Sequence, residues 1–593
     1  MSLDEHSVSA ASPAQAPKGG ELWVLGCSAT KTEDKGDLPA LSRYDGPAFK
    51  VVRSYIRDHL WPTGLSIAVL SARHRLIGAL TPLEHYDKRM TPESAAEMQH
   101  EVTEALEGVG RQHKRVRLVL GKDYLPAINT EFLRSRNIDP KVVPGGIGEK
   151  LHFISEGMTR LGRSRPRSER RLTKIARPRY FLPDWDDFLD VNFDFKKDKF
   201  SADHRDQREQ KHSIELMRPQ RLCDGVLVSL AQHMGSKGLL KRHGALTIDA
   251  LAPRSVRSHF ALRADQWAFG DCGAFSYVAA PEPTISVEKA VALYDLFEFD
   301  LGASVDHIPV PEYRDAEGNR IALSRPQREE RVRITRRNAA RFIEACWASR
   351  AQFTPVGVIQ GLSPDDYAEQ LKDYKAFGYD SVALGGLVPR SDDEIVEIVE
   401  LVRSRLDRYF GGWSPWIHLF GVYRPNIQRK LRAMGVNSFD SATYFRKAWL
   451  RSDQNYLGTD GEWYAAIRVP PTSDPRTMKR LGATKLSTRK IKAMERAALR
   501  ALRRFDAEEL SASKALDTVI AYDALLLRNE SSAEDLREKY LQTLEARPWK
   551  QCTCEVCTKL GINALVFRGL NRNKRRGAHN TLMLYRHVCN KSG

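Results

Sequence analysis

Cysteine is scarce: eight in 593 residues, three of them within six positions near the C-terminus. So few, so unevenly placed, exclude a disulfide framework and point to a reducing compartment, the cytoplasm. Long apolar runs are missing too. None approaches the roughly 18 residues that cross a bilayer, which excludes a membrane-spanning helix. The opening MSLDEHSVSAASPAQAPKGG is rich in Ser, Ala and Pro and has no apolar centre. That excludes a signal peptide and leaves residues 1–20 as a disordered tail. Acid is the minority charge, with 75 Asp and Glu against 93 Lys and Arg, a net +18. Beyond simple solubility, such an excess fits a polyanionic partner, usually nucleic acid.

What is present is a strong rhythm of strands and helices. Residues 21–155 read as a small α/β domain: apolar runs at 22–28, 65–72 and 116–121 alternate with helical stretches at 47–60 and 92–108, the pattern of a parallel sheet. An arginine-rich run over 163–179 marks a basic linker, 156–180, either solvated or touching phosphate. Across 181–450 come seven short apolar segments, at 225–231, 266–273, 299–306, 353–361, 380–386, 416–422 and 435–442. Helical stretches separate several of them. Repeated β-then-α over this length predicts a (β/α)8 TIM barrel, with an open doubly wound sheet as the alternative. The barrel is preferred because acids close four segments: Asp271, Asp306, Asp380 and Asp440. Residues 451–550 read as a charged helical insert with one basic face. Residues 551–593 form a last, cysteine-bearing subdomain.

That subdomain carries Cys552, Cys554 and Cys557, with His579, His587 and Cys589 downstream. Three thiolates so close together suit tetrahedral zinc completed by a distant histidine. With four protein ligands no position is open to water, so the site reads as structural. An iron–sulfur cluster fits this spacing less well.

Five motifs occur in order. They are Asp271-Cys-Gly-Ala-Phe275, Gly302-Ala-Ser-Val-Asp306, Val358-Ile-Gln360-Gly361, Leu384-Gly385-Gly386-Leu387 and Phe439-Asp440-Ser-Ala-Thr-Tyr444. With the Cys-x-Cys-x-x-Cys…His pattern, they resemble the tRNA-guanine transglycosylase superfamily. The resemblance implies Asp440 as a nucleophile that holds C1′ while bases exchange, as a carboxylate can. It implies Asp271 as general acid and base. Asp306, Gln360 and the Gly385-Gly386-Leu387 backbone would read the base edge. Phe275 and Phe420 would sandwich the base, the usual way to hold an extruded nucleobase; taken alone, both phenylalanines could equally be core. His579, followed by Asn580, matches the family's zinc ligand, with His587 as the alternative. One departure stands out: the motif's serine is Cys272 here, a thiol where a hydroxyl could touch base or phosphate.

Within the superfamily the chain resembles the bacterial and phage DNA-guanine transglycosylases. Pro183-Asp-Trp-Asp-Asp-Phe and Phe193-Asp-Phe-Lys-Lys-Asp resemble their lead-in, and no RNA-binding PUA domain is recognised. This implies exchange of guanine in locally opened double-stranded DNA for 7-cyano-7-deazaguanine (preQ0). It also implies a modification and restriction system with an ATPase and other deazaguanine-modifying proteins as partners. Bacterial tRNA enzymes place a glutamate just after Gly-Gly-Leu, near an aminomethyl group; Ser391 stands there in this chain, which favours a neutral nitrile. The helical insert is expected to contact DNA. The alternatives are the same chemistry on tRNA, or an inactive nucleic-acid-binding module. Retention of both Asp271 and Asp440 argues against the module. Residues 21–155 resemble an uncharacterised family (DUF6884) with features of a peroxide-stress protein, through Gly26-Cys-Ser-Ala-Thr-Lys31, Tyr44-Asp-Gly-Pro-Ala-Phe49, Leu70-Ser-Ala-Arg-His74 and Tyr86-Asp87. Its Ser/Thr/Lys turn could bind an anion.

Overall fold

The computed structural model describes residues 20–33, 38–59, 61–62, 64–162, 177–184, 188–202, 204, 210–231, 255–409, 412–450, 453–481, 486–526 and 531–590. The expected N-terminal tail (save Gly20), the arginine run up to 176 and Trp185–Asp187 of the lead-in lie outside these residues.

The N-terminal domain is a five-stranded sheet. Leu22, Trp23, Val24 and Leu25 are fully buried, as a central strand covered on both faces requires. Their strand, β1 (Glu21–Gly26), runs parallel to β2 (Leu65–Ser71) on one side; β3 (Arg75–Gly78) folds back antiparallel at that edge. On the other side lie β4 (Arg115–Val119) and β5 (Pro140–Val142), both parallel. The order is β3-β2-β1-β4-β5. Helices α1 (Pro47–Asp58) and α2 (Ile147–Gly162) pack on one another. Helix α2 runs through Gly162, so the first part of the expected linker is helix. It continues because Ile154, Gly157 and Met158 are buried, and a Cβ at Gly157 would lie 2.6 Å from the Trp23 ring.

The second unit is a closed barrel of eight parallel strands. All seven expected segments contribute one each: β7 (Gly225–Ser229), β8 (Trp267–Asp271), β9 (Leu301–Ala303), β10 (Thr354–Ile359), β11 (Ser381–Leu384), β12 (Trp416–Leu419) and β13 (Ser438–Asp440). The eighth, β6 (Arg179–Pro183), closes the ring by pairing with both β7 and β13. It begins inside the stretch read as basic linker, where flanking arginines and Pro183 hide a core of Tyr180, Phe181 and Leu182. One acid is corrected. Asp380 precedes β11, is exposed, and its carbonyl accepts from Trp416 N. It therefore sits at the opposite end of the barrel from Asp271, Asp306 and Asp440; the segment's polar boundary was its start, not its end.

Large side chains, among them Phe181, Trp267, Phe269 and Trp416, fill the barrel interior, a packed core and not a pore. Outside lie α3 (Val287–Leu296), α4 (Arg325–Ser349), α5 (Pro364–Phe377) and α6 (Asp392–Tyr409). Their ends follow local rules: Ser324 and Gln327 form a capping box with a proline at the first turn of α4, and α5 stops at Gly378 with φ +90°.

The insert is narrower than expected. Its helices run from Pro475 to Ala546 and include α7 (Thr488–Asp506), α8 (Ala512–Asp523) and α9 (Ser531–Ala546). Residues 455–469 belong instead with the C-terminal subdomain. Ile467 and Arg468 pair in parallel with Val566 and Phe567, and Leu457 N donates to Asn580 on α10 (Gly569–Asn590). Alternation too short to register as strands in the sequence is fixed here by burial of Tyr456, Ile467 and Val469. No helix among the described residues is long and apolar enough to cross a membrane.

Candidate active site and metal centre

The carboxyl ends of the barrel strands surround a cavity of about 440 Å³. Eight of the nine residues expected at the base site line it: Asp271, Phe275, Asp306, Gln360, Gly385, Gly386, Phe420 and Asp440. The ninth, Leu387, is fully buried in the core, so it offers the cavity no side chain. Asp184, just past β6, also lines the wall. It escaped notice because its strand did.

Asp306 is held at both oxygens. Cys272 Sγ donates to Oδ1 at 2.9 Å and Gln360 Nε2 to Oδ2 at 2.7 Å. Burial raises its pKa, and these two donors oppose the rise. The Cys272 thiol is thus buried behind Asp306, beside the Tyr277 hydroxyl at 2.9 Å; it is not a contact for base or phosphate. Gln360 is 1% exposed, and its Oε1 has no protein partner. That acceptor faces the glycine pair: a Cβ at Gly386, where φ is +69°, would stand 2.7 Å from it. A buried, unpaired carbonyl costs about 1–3 kcal/mol and is a natural place for a ligand N–H. Tyr367 Oη donates to Gly385 O and Gln370 Nε2 to Gln360 O, both at 2.8 Å, which locks this wall.

Asp271 ends β8 with its carboxylate within 4.8 Å of the Asp306 carboxylate. Its pKa is pushed up to about 7, first by loss of solvent and then by the Asp306 charge; the Gly273 N–H lowers it and Asp440 adds a further rise. A carboxyl poised there can give or take a proton near neutrality.

Asp440 is 5% exposed. Its Oδ1 accepts from Gly421 N at 2.8 Å and lies 3.2 Å from His418 Nε2. Behind the imidazole a relay fixes its tautomer. Trp416 Nε1 donates to Ser438 Oγ at 2.8 Å, and that hydroxyl lies 2.9 Å from His418 Nδ1. The Asp440 carboxylate can only accept, so it takes Nε2–H, and Nδ1 is left to accept the Ser438 hydroxyl proton. Two donors hold Oδ1, leaving Oδ2 to face the cavity. His418 was missed because WIHLFGV reads only as a strand; a histidine inside an apolar barrel strand was the signal.

The aromatics differ. Phe275 is 63% exposed at the rim, while Phe420 is half-buried against His418, ring centroids 4.7 Å apart. Ser391 does not reach the cavity. It caps α6, exchanging hydrogen bonds with Glu394.

Cys552, Cys554, Cys557 and His579 are all buried, their ligand atoms within 4.8 Å of one another. His579 Nε2 donates to Leu457 O at 2.7 Å, turning Nδ1 toward the three sulfurs at 3.4–3.7 Å. Tyr456 stacks on the imidazole at 4.1 Å. This group could hold a metal, and the histidine in it is His579; neither His587 nor Cys589 joins the cluster.

In the N-terminal domain the four quoted motifs converge. Tyr44 and Tyr86 share a 2.6 Å hydrogen bond and both bond Ser71, while Lys31 lies over the Tyr86 ring. The Ser28 hydroxyl donates to Thr30 O and accepts from Gly46 N, which fixes the shape of the turn.

Comparison with known proteins agrees with this layout. Residues 315–574 match the family described as queuine tRNA-ribosyltransferase, and residues 22–156 match a family of unknown function, DUF6884. A DNA-guanine transglycosylase from Salmonella montevideo is 30% identical over 415 residues, 69% of this chain and 96% of that protein. A tRNA-guanine(15) transglycosylase from Methanococcus aeolicus is 26% identical over 196 residues, 32% of this chain and 27% of its own length.

Proposed function

Because this chain belongs to the guanine transglycosylase family and is a pentosyltransferase, we propose that it exchanges guanine in DNA for 7-cyano-7-deazaguanine through a covalent link to Asp440. The observation that carries the proposal is the cavity in which Asp440, with Oδ1 pinned, faces Asp271 poised near pH 7. Asp440 Oδ2 attacks C1′ of the target nucleotide. The bond from C1′ to the base breaks, its electron pair leaves with guanine, and guanine takes the proton from Asp271. The entering base then gives its proton to the Asp271 carboxylate, attacks C1′, and the bond to Asp440 breaks. Asp306, Gln360 and the Gly385–Leu387 backbone read the base edge, with Phe275 and Phe420 on its faces.

DNA is favoured over tRNA because similarity to the DNA enzyme spans nearly that whole protein, while the tRNA enzyme is matched over about a quarter of its length. The cyano base is favoured because the wall after Gly386 presents Val388 to the cavity, and the nearby Glu394 carboxylate is engaged in capping Ser391. The Cys3His group suits zinc by donor softness and ligand number, in a closed structural role. In this reading the enzyme works in the cytoplasm within a DNA-modification and restriction system, alongside an ATPase that opens the duplex and other deazaguanine-modifying proteins.

The test is incubation with radiolabelled preQ0 and either duplex DNA or tRNA, with denaturing gels to trap the adduct. Label enters DNA, and Asp440→Asn abolishes the covalent enzyme–DNA species. Label in tRNA alone, or an adduct that survives Asp440→Asn, overturns the assignment.

A further inference from the structure

The insert helix α7 has two faces of different character. Ile491, Ala498, Leu502 and Phe505 are buried, and α7 packs mainly against α8. At spacings of three, four and four residues, Arg489, Lys492, Arg496 and Arg500 fall on the opposite side, all exposed. From Arg489 to Arg500 such a stripe runs about 16 Å at 1.5 Å per residue.

Among the described residues none of these four cations has an ion-pair partner, and the acids nearby are engaged elsewhere. Glu495 bonds Arg568, Glu509 pairs with Arg504, and Glu508 with Arg547 and Lys550. The barrel helix α4 makes the contrast. Its exposed Arg333, Arg336, Arg337 and Arg341 pair with Glu330, Asp373, Glu282 and Glu288. Arginines of one chain are therefore neutralised on one helix and left bare on another. Bare, aligned like charges repel one another and cost stability, unless a polyanion meets them.

The insert is also tied to the cavity. The chain that leaves β6 lines the cavity at Pro183 and Asp184. It then continues to Phe195, whose carbonyl accepts from Arg503 of α7 at 2.9 Å.

We propose that the stripe of Arg489, Lys492, Arg496 and Arg500 docks the phosphate backbone of DNA beside the nucleotide whose base is exchanged. The proposal rests on the nucleic-acid reading above. A 16 Å stripe spans about five phosphates of one strand at 3.4 Å of axis each. It contacts no base, so it adds affinity and register without sequence preference.

The test compares wild type, the quadruple variant R489Q/K492Q/R496Q/R500Q and an α4 control, R333Q/R336Q/R337Q/R341Q. Duplex-DNA affinity is measured across 50–200 mM salt, with circular dichroism to confirm folding. Each phosphate contact contributes about −0.9 to the slope of log affinity against log salt. The stripe variant should lose at least about 2 from that slope and bind about tenfold or more weakly at physiological salt. Its exchange rate at saturating DNA should stay near wild type, and the control should keep the wild-type slope. An unchanged slope in the stripe variant, or an equal loss in the control, overturns this proposal alone. Absence of salt-dependent DNA binding by wild type overturns the DNA reading with it.

Discussion

Replacing Asp271 with asparagine should abolish base exchange and yet stabilise the protein, increasingly as pH rises. The carboxyl moves from an ordinary 3.8 to about 7, chiefly through loss of solvent and then through the Asp306 charge. The folded protein thus keeps this proton to a higher pH than the unfolded chain does. Below about pH 4 both states are protonated and nothing is lost. From there to about pH 7 the unfolded chain ionises first, and the folded state loses ground steadily; above 7 the loss is constant. At 1.36 kcal/mol per pH decade the full loss is about 4 kcal/mol. About 2.5 kcal/mol of it accrues between pH 5 and pH 7.5. An asparagine carries no charge and escapes this loss. The assay is urea unfolding of wild type and Asp271→Asn at both pH values. Taking the difference of differences cancels every titrating group that is not coupled to Asp271, including the Cys3His site, and leaves Asp271 with its coupled neighbours, chiefly Asp306. The stability gap should move in favour of the variant by about 2.5 kcal/mol between the two pH values, while single-turnover release of guanine falls by about 100-fold or more. A gap that stays constant or shrinks would refute the reasoning: Asp271 would then not be raised by burial and Asp306, and its acid/base assignment would lose its physical basis.

His418→Ala should bind DNA normally but form the covalent adduct about 10–100-fold more slowly, because a hydrogen bond to a charged group contributes about 1.5–3 kcal/mol. Ser438→Ala, which frees the Nδ1 side, should give a smaller loss on the same adduct-formation assay, and an unaffected rate in both variants would release Asp440 from this relay. Chelation at neutral pH, or His579→Ala, should lower the unfolding temperature of the C-terminal subdomain. Because Leu457 O and Tyr456 sit against His579, protease sensitivity should appear in residues 455–469 as well as after 551.

The eightfold barrel was nearly complete in the sequence because a buried parallel strand is a continuous apolar run, and seven such runs stood at regular intervals. The eighth, Arg179–Pro183, was hidden by its neighbours: arginines before it and a proline at its end outweigh three apolar residues in any window. The misplacement of Asp380 has a related cause. A strand's two ends look alike in sequence when both carry polar residues, and only the parallel register, Ser381 against Trp416, fixes which end faces the site. The metal ligands were legible because three closely spaced thiols have few other uses. Their supports were not, since Leu457 lies 122 positions from His579.

What the sequence could not carry was the orientation of groups around the reacting atoms. It supplied Asp440, but not that Oδ1 is engaged by Gly421 N–H and His418 Nε2. It supplied Cys272 as a departure from the family pattern, and suggested contact with base or phosphate. In place, the thiol completes the shell of Asp306. A serine there would donate to the same oxygen, with a stronger dipole. The substitution therefore acts on Asp306, and through the Asp306 charge on Asp271. A weaker donor stabilises the Asp306 carboxylate less, so Asp306 takes up a proton more readily and its charge presses less on Asp271. Cys272→Ser should accordingly move the pH at which guanine release falls off to a higher value, with base affinity little changed. A shift downward, or a change in affinity alone, would return Cys272 to the base-contacting role first read from the motif.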